Sequence, residues 1–241
     1  SRRLPERVPE AERSDKEIVM RYVVNRVEKE PDLGESFDGG VWSAANCGTV
    51  ENFRPESSGH RPLTRFRVVH NGTRVFVRFE INDCYVRSVQ TERQASVCTD
   101  SCTEFFLQPK PDKGYFNFEV NAGGAILLSY VEDHERTRDG FKKWQSVADE
   151  LIDEIEIWHS LPSVVEPEIT EPVVWGNGWS FPVSLLEAYV GSLGDITGAV
   201  WRGNFYKCAD RTSQPHWGSW SPVDKLNFHL PECFGDIELG R

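Results

Sequence analysis

Long apolar runs are missing from this 241-residue chain. None approaches the ~20 residues that a membrane-spanning helix requires, so no membrane-spanning segment is expected. Clustered positive charge is missing as well. Lys and Arg number 27 against 38 Asp and Glu, a formal charge of −11, and the acids are spread along the chain. Neutralising phosphates takes grouped Lys and Arg, so the sequence predicts no nucleic-acid partner. Arg2, Arg3 and Arg7 are interleaved with acids in a polar, Pro-containing stretch, and residues 1–15 read as a flexible N-terminal segment. Catalytic fingerprints are absent too: there is no GxSxG elbow, no P-loop, no dinucleotide-binding glycine motif and no identifiable Cys–His motif. Six cysteines are present (Cys47, Cys84, Cys98, Cys102, Cys208 and Cys233). Cys98 and Cys102 have a CxxxC spacing, but no second Cys or His pair lies near them in sequence to complete a zinc site. Buried thiols and one or two disulfides both fit the even count.

Methionine occurs once, and sustained helical periodicity is scarce, whereas Trp, Tyr and Phe supply 12% of residues. Aromatic and β-branched side chains suit pleated, half-buried surfaces. Short runs divided by Gly, Pro, Asn and Asp therefore predict an all-β fold, an antiparallel β-sandwich with one or two short helices. No repeat or linker interrupts residues 16–241, which read as a single domain. The clearest signal is LTRFRVVH, Asn71-Gly72, then TRVFVRFEI, a hairpin around a type I′ turn. In its second strand Val75, Val77, Phe79 and Ile81 alternate with Phe76, Arg78 and Glu80, which predicts one apolar and one mostly polar face. CTEFFLQP and YFNFEVNAG form a second hairpin, followed by a strand in AILLSYVE. Gly176-Asn177-Gly178 predicts a turn into GWSFPVSL, and Ser184–Tyr189 a short helix with Ser184 as N-cap. GAVWRGNFYK is strand-like, Arg211–Asp224 reads as an aromatic loop, and FGDIELG closes the chain as an edge or terminal strand.

Segments of this pattern resemble one family. FDGGVWSAA, TEFFLQP, GYFNFEVNAGG, GWSFPVSLL, AVWRGNFYK, SWSPV and ECFGDIEL occur in the order found in family 9 carbohydrate-binding modules, from about Asp38 to Leu239. The resemblance implies a β-sandwich, association with glycans, frequent calcium, and a secreted, periplasmic or cell-surface location. Known members hold a terminal sugar between two tryptophans. Here the first of those places offers Val97 and Cys98, and the second Phe228. Glu104 matches the family's Glu, while Glu119 stands where those members carry a sugar-contacting Arg.

Sugar recognition needs ring faces for C–H surfaces and planar polar groups for hydroxyls, placed in a mostly apolar recess. Strand parity puts Glu104 and Glu119 on one polar face, with Arg202 and Asn204 on the same side. Trp217, in a loop, is the stacking candidate. Trp220 reads as core, and Trp144, Trp175 and Trp179 as core or lid residues. The expected function is non-catalytic binding of an oligo- or polysaccharide. Two alternatives stand beside it: a carbohydrate-active enzyme with Glu104 and Glu119 as acid and base, and a scaffold whose sugar site has decayed. No cofactor is required, although structural calcium could use Asp32, Glu35 and Asp38, or Asp133, Glu135 and Asp139. Resemblance to the wider sandwich superfamily, some of whose members bind haem, adds haem ligation through His70, His159 or His229 as a further alternative.

Overall fold

A computed structural model describes residues 19–138 and 140–241. The N-terminal segment 1–15 and Asp139 lie outside the described residues. In chain order the strands are β1 (Arg21–Arg26), β2 (Cys47–Val50), β3 (Asn52–Phe53), β4 (Leu63–His70), β5 (Arg74–Asp83), β6 (Val86–Ser88), β7 (Cys102–Gln108), β8 (Tyr115–Asn121) and β9 (Ile126–Leu127). There follow β10 (Ser129–Thr137), β11 (Gly140–Ser146), β12 (Glu156–His159), β13 (Val165–Ile169), β14 (Val173–Pro182), β15 (Val200–Cys208), β16 (Trp217–Ser219) and β17 (Gly235–Leu239). Among the described residues two short helices, α1 (Asp149–Ile152) and α2 (Val183–Val190), complete the regular elements apart from single 3-10 turns.

The strands form a sandwich. One layer runs β11-β10-β8-β7-β15-β17-β1 and the other β1-β4-β5-β14-β12. β1 joins them, pairing with β17 through Arg21–Val24 and with β4 through Asn25 and Arg26. Both of these pairings are parallel, the departure from an otherwise antiparallel set. β17, read as an edge or terminal strand, is the last strand in the chain and lies between β15 and β1. Its alternation buries Gly235, Ile237 and Leu239, and both its edges are hydrogen-bonded.

Aromatic rings from the two layers meet between them, which is why the sequence is so rich in Phe and Trp. Phe66 of β4 stacks on Phe205 of β15 at 3.8 Å, and Phe205 on Phe105 of β7 at 4.4 Å. Phe118 of β8 stacks on Phe181 of β14 at 4.4 Å. Such pairs add about 0.5–1.5 kcal/mol each beyond their buried area. Trp175, Trp179 and Trp220 are buried, whereas Trp144 on β11 is exposed.

Four local expectations change. In the β4–β5 hairpin, Gly72 and Thr73 are the central residues, with Gly72 at φ +96°. Asn71 sits one place earlier and its Oδ1 accepts from the Thr73 and Arg74 amides, so its side chain caps the turn. The outer face of β5 is not a solvated polar surface: Phe76 and Arg78 are buried, and the Arg78 guanidinium lies 3.9 Å from the centre of the Trp158 ring. Gly176-Asn177-Gly178 is mid-strand in β14 rather than a turn. A Cβ at Gly176 or Gly178 would meet the Phe79 or Val77 carbonyl oxygen at 2.6 or 2.8 Å. Asn177 crosses the sandwich, donating to the Val120 carbonyl and accepting from Thr103 Oγ1. α2 is capped at Pro182, without a side-chain bond from Ser184. Among the described residues no helix is long and apolar enough to cross a membrane.

Candidate functional site

Alternation along β7, β8 and β15 sends Phe105, Leu107, Phe116, Phe118, Trp201 and Phe205 into the core. The opposite positions face outward: Cys102, Glu104 and Phe106, then Asn117 and Glu119, then Arg202, Asn204, Tyr206 and Cys208. That outer face is not open to solvent, because the chain from Val223 to Phe234 packs over it. Glu104 and Glu119 stand directly opposite each other in the β7–β8 register and are 2% and 5% exposed.

Between the sheet and its cover is a cavity of about 300 Å³ lined by Cys98, Glu104, Glu119, Arg136, Cys208, Asp210, Trp217, Leu226, Asn227, Phe228 and His229. Each wall has a local cause. Trp217 is on β16, which pairs with the end of β15, and its indole N–H donates to Asp210 Oδ1 at 2.7 Å. Phe228 stacks on Tyr206 at 4.1 Å, with the rings 13° apart. The His229 ring exchanges a hydrogen bond with Tyr115 Oη at 2.8 Å, and the His229 amide donates to Asn227 Oδ1. Arg136 arrives from β10, its guanidinium 4.0 Å from the centre of the Phe141 ring.

The electrostatics are unusual for a sheet surface. Burial, then the charge of Glu119, pushes Glu104 well above the usual carboxylate range. Burial also raises Glu119, against a hydrogen bond donated by Asn117 Nδ2 at 2.8 Å. Desolvation raises Asp210, against the bond from Trp217. Two like charges facing each other in a low-dielectric setting hold on to protons. A carboxyl pair in that condition both donates and accepts hydrogen bonds, as does a sugar hydroxyl. His229 is the reverse case, held neutral down to about 3 by burial and by the charge of Arg136.

Of the residues singled out in the sequence, Glu104, Glu119 and Trp217 line this one cavity. Arg202 and Asn204 share the sheet face but lie outside it. A small secondary core that includes Phe106, Tyr115, Tyr206, Leu230 and Phe234 occupies that face beside them. Asn204 is fully buried, donating to the Ser221 carbonyl and accepting from the Ser221 amide, and so pins the covering segment down. Arg202 donates to the Phe234 carbonyl and lines a different recess with Asp224 and Asp236. Arg136, Asp210 and Asn227 went unremarked in the sequence. Arg136 lies on a strand without clean alternation, and the other two lie in irregular chain with no periodic signal. Three of the six acids named for calcium pair with basic side chains: Asp38 accepts from Arg65 and Arg67, and Asp133 and Glu135 pair with Lys142. All six cysteines are free thiols. His70 and His159 each bond a backbone carbonyl.

The sequence model of carbohydrate-binding family 9 matches residues 41–239. A Bacteroides uniformis ATCC 8492 protein described as carbohydrate-binding superposes with a TM-score of 0.79 at 26% identity, covering 92% of this chain and 99% of its own. A family 9 carbohydrate-binding module from Caldicellulosiruptor kristjanssonii in complex with glucose gives 0.60 at 12% identity, over 92% and 97% of the two chains. The same organism's module in complex with cellotriose gives 0.61 at 14%, over 92% and 95%. No curated protein matches the sequence significantly.

Proposed function

Since the chain belongs to carbohydrate-binding family 9, we propose that the cavity over β7, β8 and β15 is its sugar site and that the bound sugar leaves unchanged. The observation that carries this reading is the meeting of two aromatic rings, Trp217 and Phe228, with a proton-holding carboxyl pair in one recess. Trp217 and Phe228 offer ring faces to the C–H surface of a pyranose. Glu104, Glu119, Asn227 and Arg136 supply donors and acceptors for its hydroxyls. The volume is at the small end of ligand pockets, about 300–1,000 Å³, which favours a chain end or a short oligosaccharide over a groove along a polymer. The larger recess beside Arg202, about 540 Å³, has its guanidinium already bonded to the Phe234 carbonyl and its one ring, Phe234, buried.

The binding reading also places the protein where glycans are, at the cell surface, in the periplasm or secreted. Titration calorimetry with glucose and cellotriose, the sugars bound by the Caldicellulosiruptor modules, should give heat without product. Trp217→Ala should weaken that binding by ~1–3 kcal/mol, the usual worth of a stacked aromatic. Unchanged affinity in this variant would move the site elsewhere. Release of reducing sugar that stops in Glu104→Gln would replace binding by hydrolysis.

A further inference from the structure

At the base of the cavity are two thiols that the proposed sugar binding does not use, Cys208 in its lining and Cys102 buried behind it. Cys102 and Cys208 face each other across the β7–β15 pairing, and Glu104 follows Cys102 on the same outer face of β7. The Cys102 Sγ, the Cys208 Sγ and a carboxylate oxygen of Glu104 all lie within 4.8 Å of one another, and all three residues are buried. The Cys208 thiol donates to Glu104 Oε1 at 3.1 Å. Cys98, whose carbonyl accepts a longer contact of 3.7 Å from Cys208 Sγ, lines the cavity next to them.

We propose that Cys102, Cys208 and Glu104 form a binding site for a thiophilic divalent cation of the zinc class, with its fourth coordination position open to the cavity. Zinc takes Cys sulfur at about 2.3 Å and carboxylate oxygen at about 2.0–2.2 Å in a tetrahedron. Three ligand atoms already gathered within 4.8 Å need only a small contraction to meet that geometry. Two sulfurs in the set select against calcium and magnesium, which take oxygen ligands. The fourth position faces the cavity because Glu104 and Cys208 both line it, so water or a sugar hydroxyl can complete the shell. Adjacency in sequence does not reveal the site, because the sheet register brings Cys208 beside Cys102 from 106 positions away.

Burial raises the Cys102 thiol to about 12, and Cys208 and Glu104 also lie well above their usual values. Without metal the three groups therefore keep their protons. Each ligand must lose its proton to coordinate, so one cation displaces up to three protons into solution. The site shares Glu104 with the proposed sugar cavity, but its test uses metal alone, so either reading can fail without the other.

The test is cadmium titration of the reduced full chain, followed by the ultraviolet thiolate-to-cadmium absorption, with zinc competing for the same site. One cadmium per chain is expected, with an absorption intensity of two thiolates. Calorimetry of zinc binding in buffers of different ionisation heat should count close to three protons released per ion. Cys102→Ser and Cys208→Ser should each halve the absorption and weaken binding at least tenfold. Glu104→Gln should keep the full absorption, release one proton fewer and also bind more weakly. Cys98→Ser should change neither absorption nor stoichiometry. No stoichiometric cadmium absorption in the reduced wild-type protein would overturn the assignment without any variant having to fold. An absorption abolished by Cys98→Ser but not by Cys208→Ser would overturn it as well.

Discussion

Lys207 and Cys208 are neighbours on one strand, yet they enter polar settings of opposite character. Lys207 points between the layers, where Nζ donates to His216 Nε2 at 2.8 Å and to the Cys208 carbonyl at 3.0 Å, 3.7 Å from Asp83 Oδ2. Asp83 accepts in turn from Trp175 Nε1 at 2.9 Å and lies 2.6 Å from His60 Nε2. Burial alone would push Asp83 up. The charge of Lys207, with His60 and Trp175, outweighs it and holds the carboxyl at about 2. Cys208, one residue on, faces Glu104 at the base of a cavity where the carboxyls are all raised. The inner cluster is saturated by its own opposite charges. In the outer one the bonds from Cys208, Asn117 and Trp217 and the charge of Arg136 do not offset burial, and a ligand can add what is missing. Burial of polar groups thus marks scaffold in one place and, on the proposed reading, a binding site in the other, and compensation is what tells them apart.

The largest effect should come from breaking the inner cluster. Lys207→Met leaves Asp83 buried without its cation, a change that typically costs about 3–5 kcal/mol. Urea denaturation should show that loss, while the fraction still folded binds sugar as before. Full stability with lost sugar binding would mean that the inner cluster serves the site, and the comparison would collapse.

Acid should distinguish the two clusters next. His216 is held down to about 3, by burial and then by the charge of Lys207. Its Nε2 accepts from Lys207 and its Nδ1 lies 2.8 Å from the Gln214 carbonyl, so the folded ring has no room for a second proton. The unfolded chain takes up that proton near 6.5, the folded one near 3, so lowering the pH through this window favours unfolding. His229 on the outer face behaves alike. Asp83 contributes stability that is full above its ordinary value of 3.8 and disappears as pH falls through about 2. His216→Gln should therefore lose less melting temperature than wild type between pH 6.5 and 3, whatever Glu104 and Glu119 contribute by taking up protons.

Much of the sandwich was legible because period-two alternation in TRVFVRFEI, TEFFL and YFNFEV reports directly on which side faces the core. Parity likewise put Glu104 and Glu119 on one face, and they stand opposite each other in the register. It could not show that Arg202 and Asn204 lie outside the cavity that Glu104, Glu119 and Trp217 line. Facing the same way is not being near, and Phe106 and Tyr206 occupy that face alongside them. The glycines of Gly176-Asn177-Gly178 read as a turn because local propensity cannot see a carbonyl of the paired strand 2.6 Å from an absent Cβ. Cys102 and Cys208 were invisible as a pair for a related reason: their nearness is a fact of sheet register, fixed by the whole fold.

The smallest predicted effect separates the clusters most sharply. Glu119→Gln keeps an acceptor for Asn117 Nδ2 and removes one of two buried like charges. The pair's folded values are raised above those of the unfolded chain. The stability gained by holding protons is therefore full at low pH and is lost as pH rises through the raised value. Above that point the wild-type protein carries the repulsion and the variant does not. With a chelator present to keep the thiols metal-free, Glu119→Gln should be more stable than wild type by roughly 1 kcal/mol at pH 8, with no difference near pH 4.5. Asp83→Asn, the matching change in the inner cluster, should lose stability at pH 8, because there the charge is what Lys207 and His60 hold in place. Equal destabilisation by both amides at pH 8 would show that the outer carboxyls are as fully compensated as the inner one, and the cavity would then have no unmet demand for a ligand to satisfy.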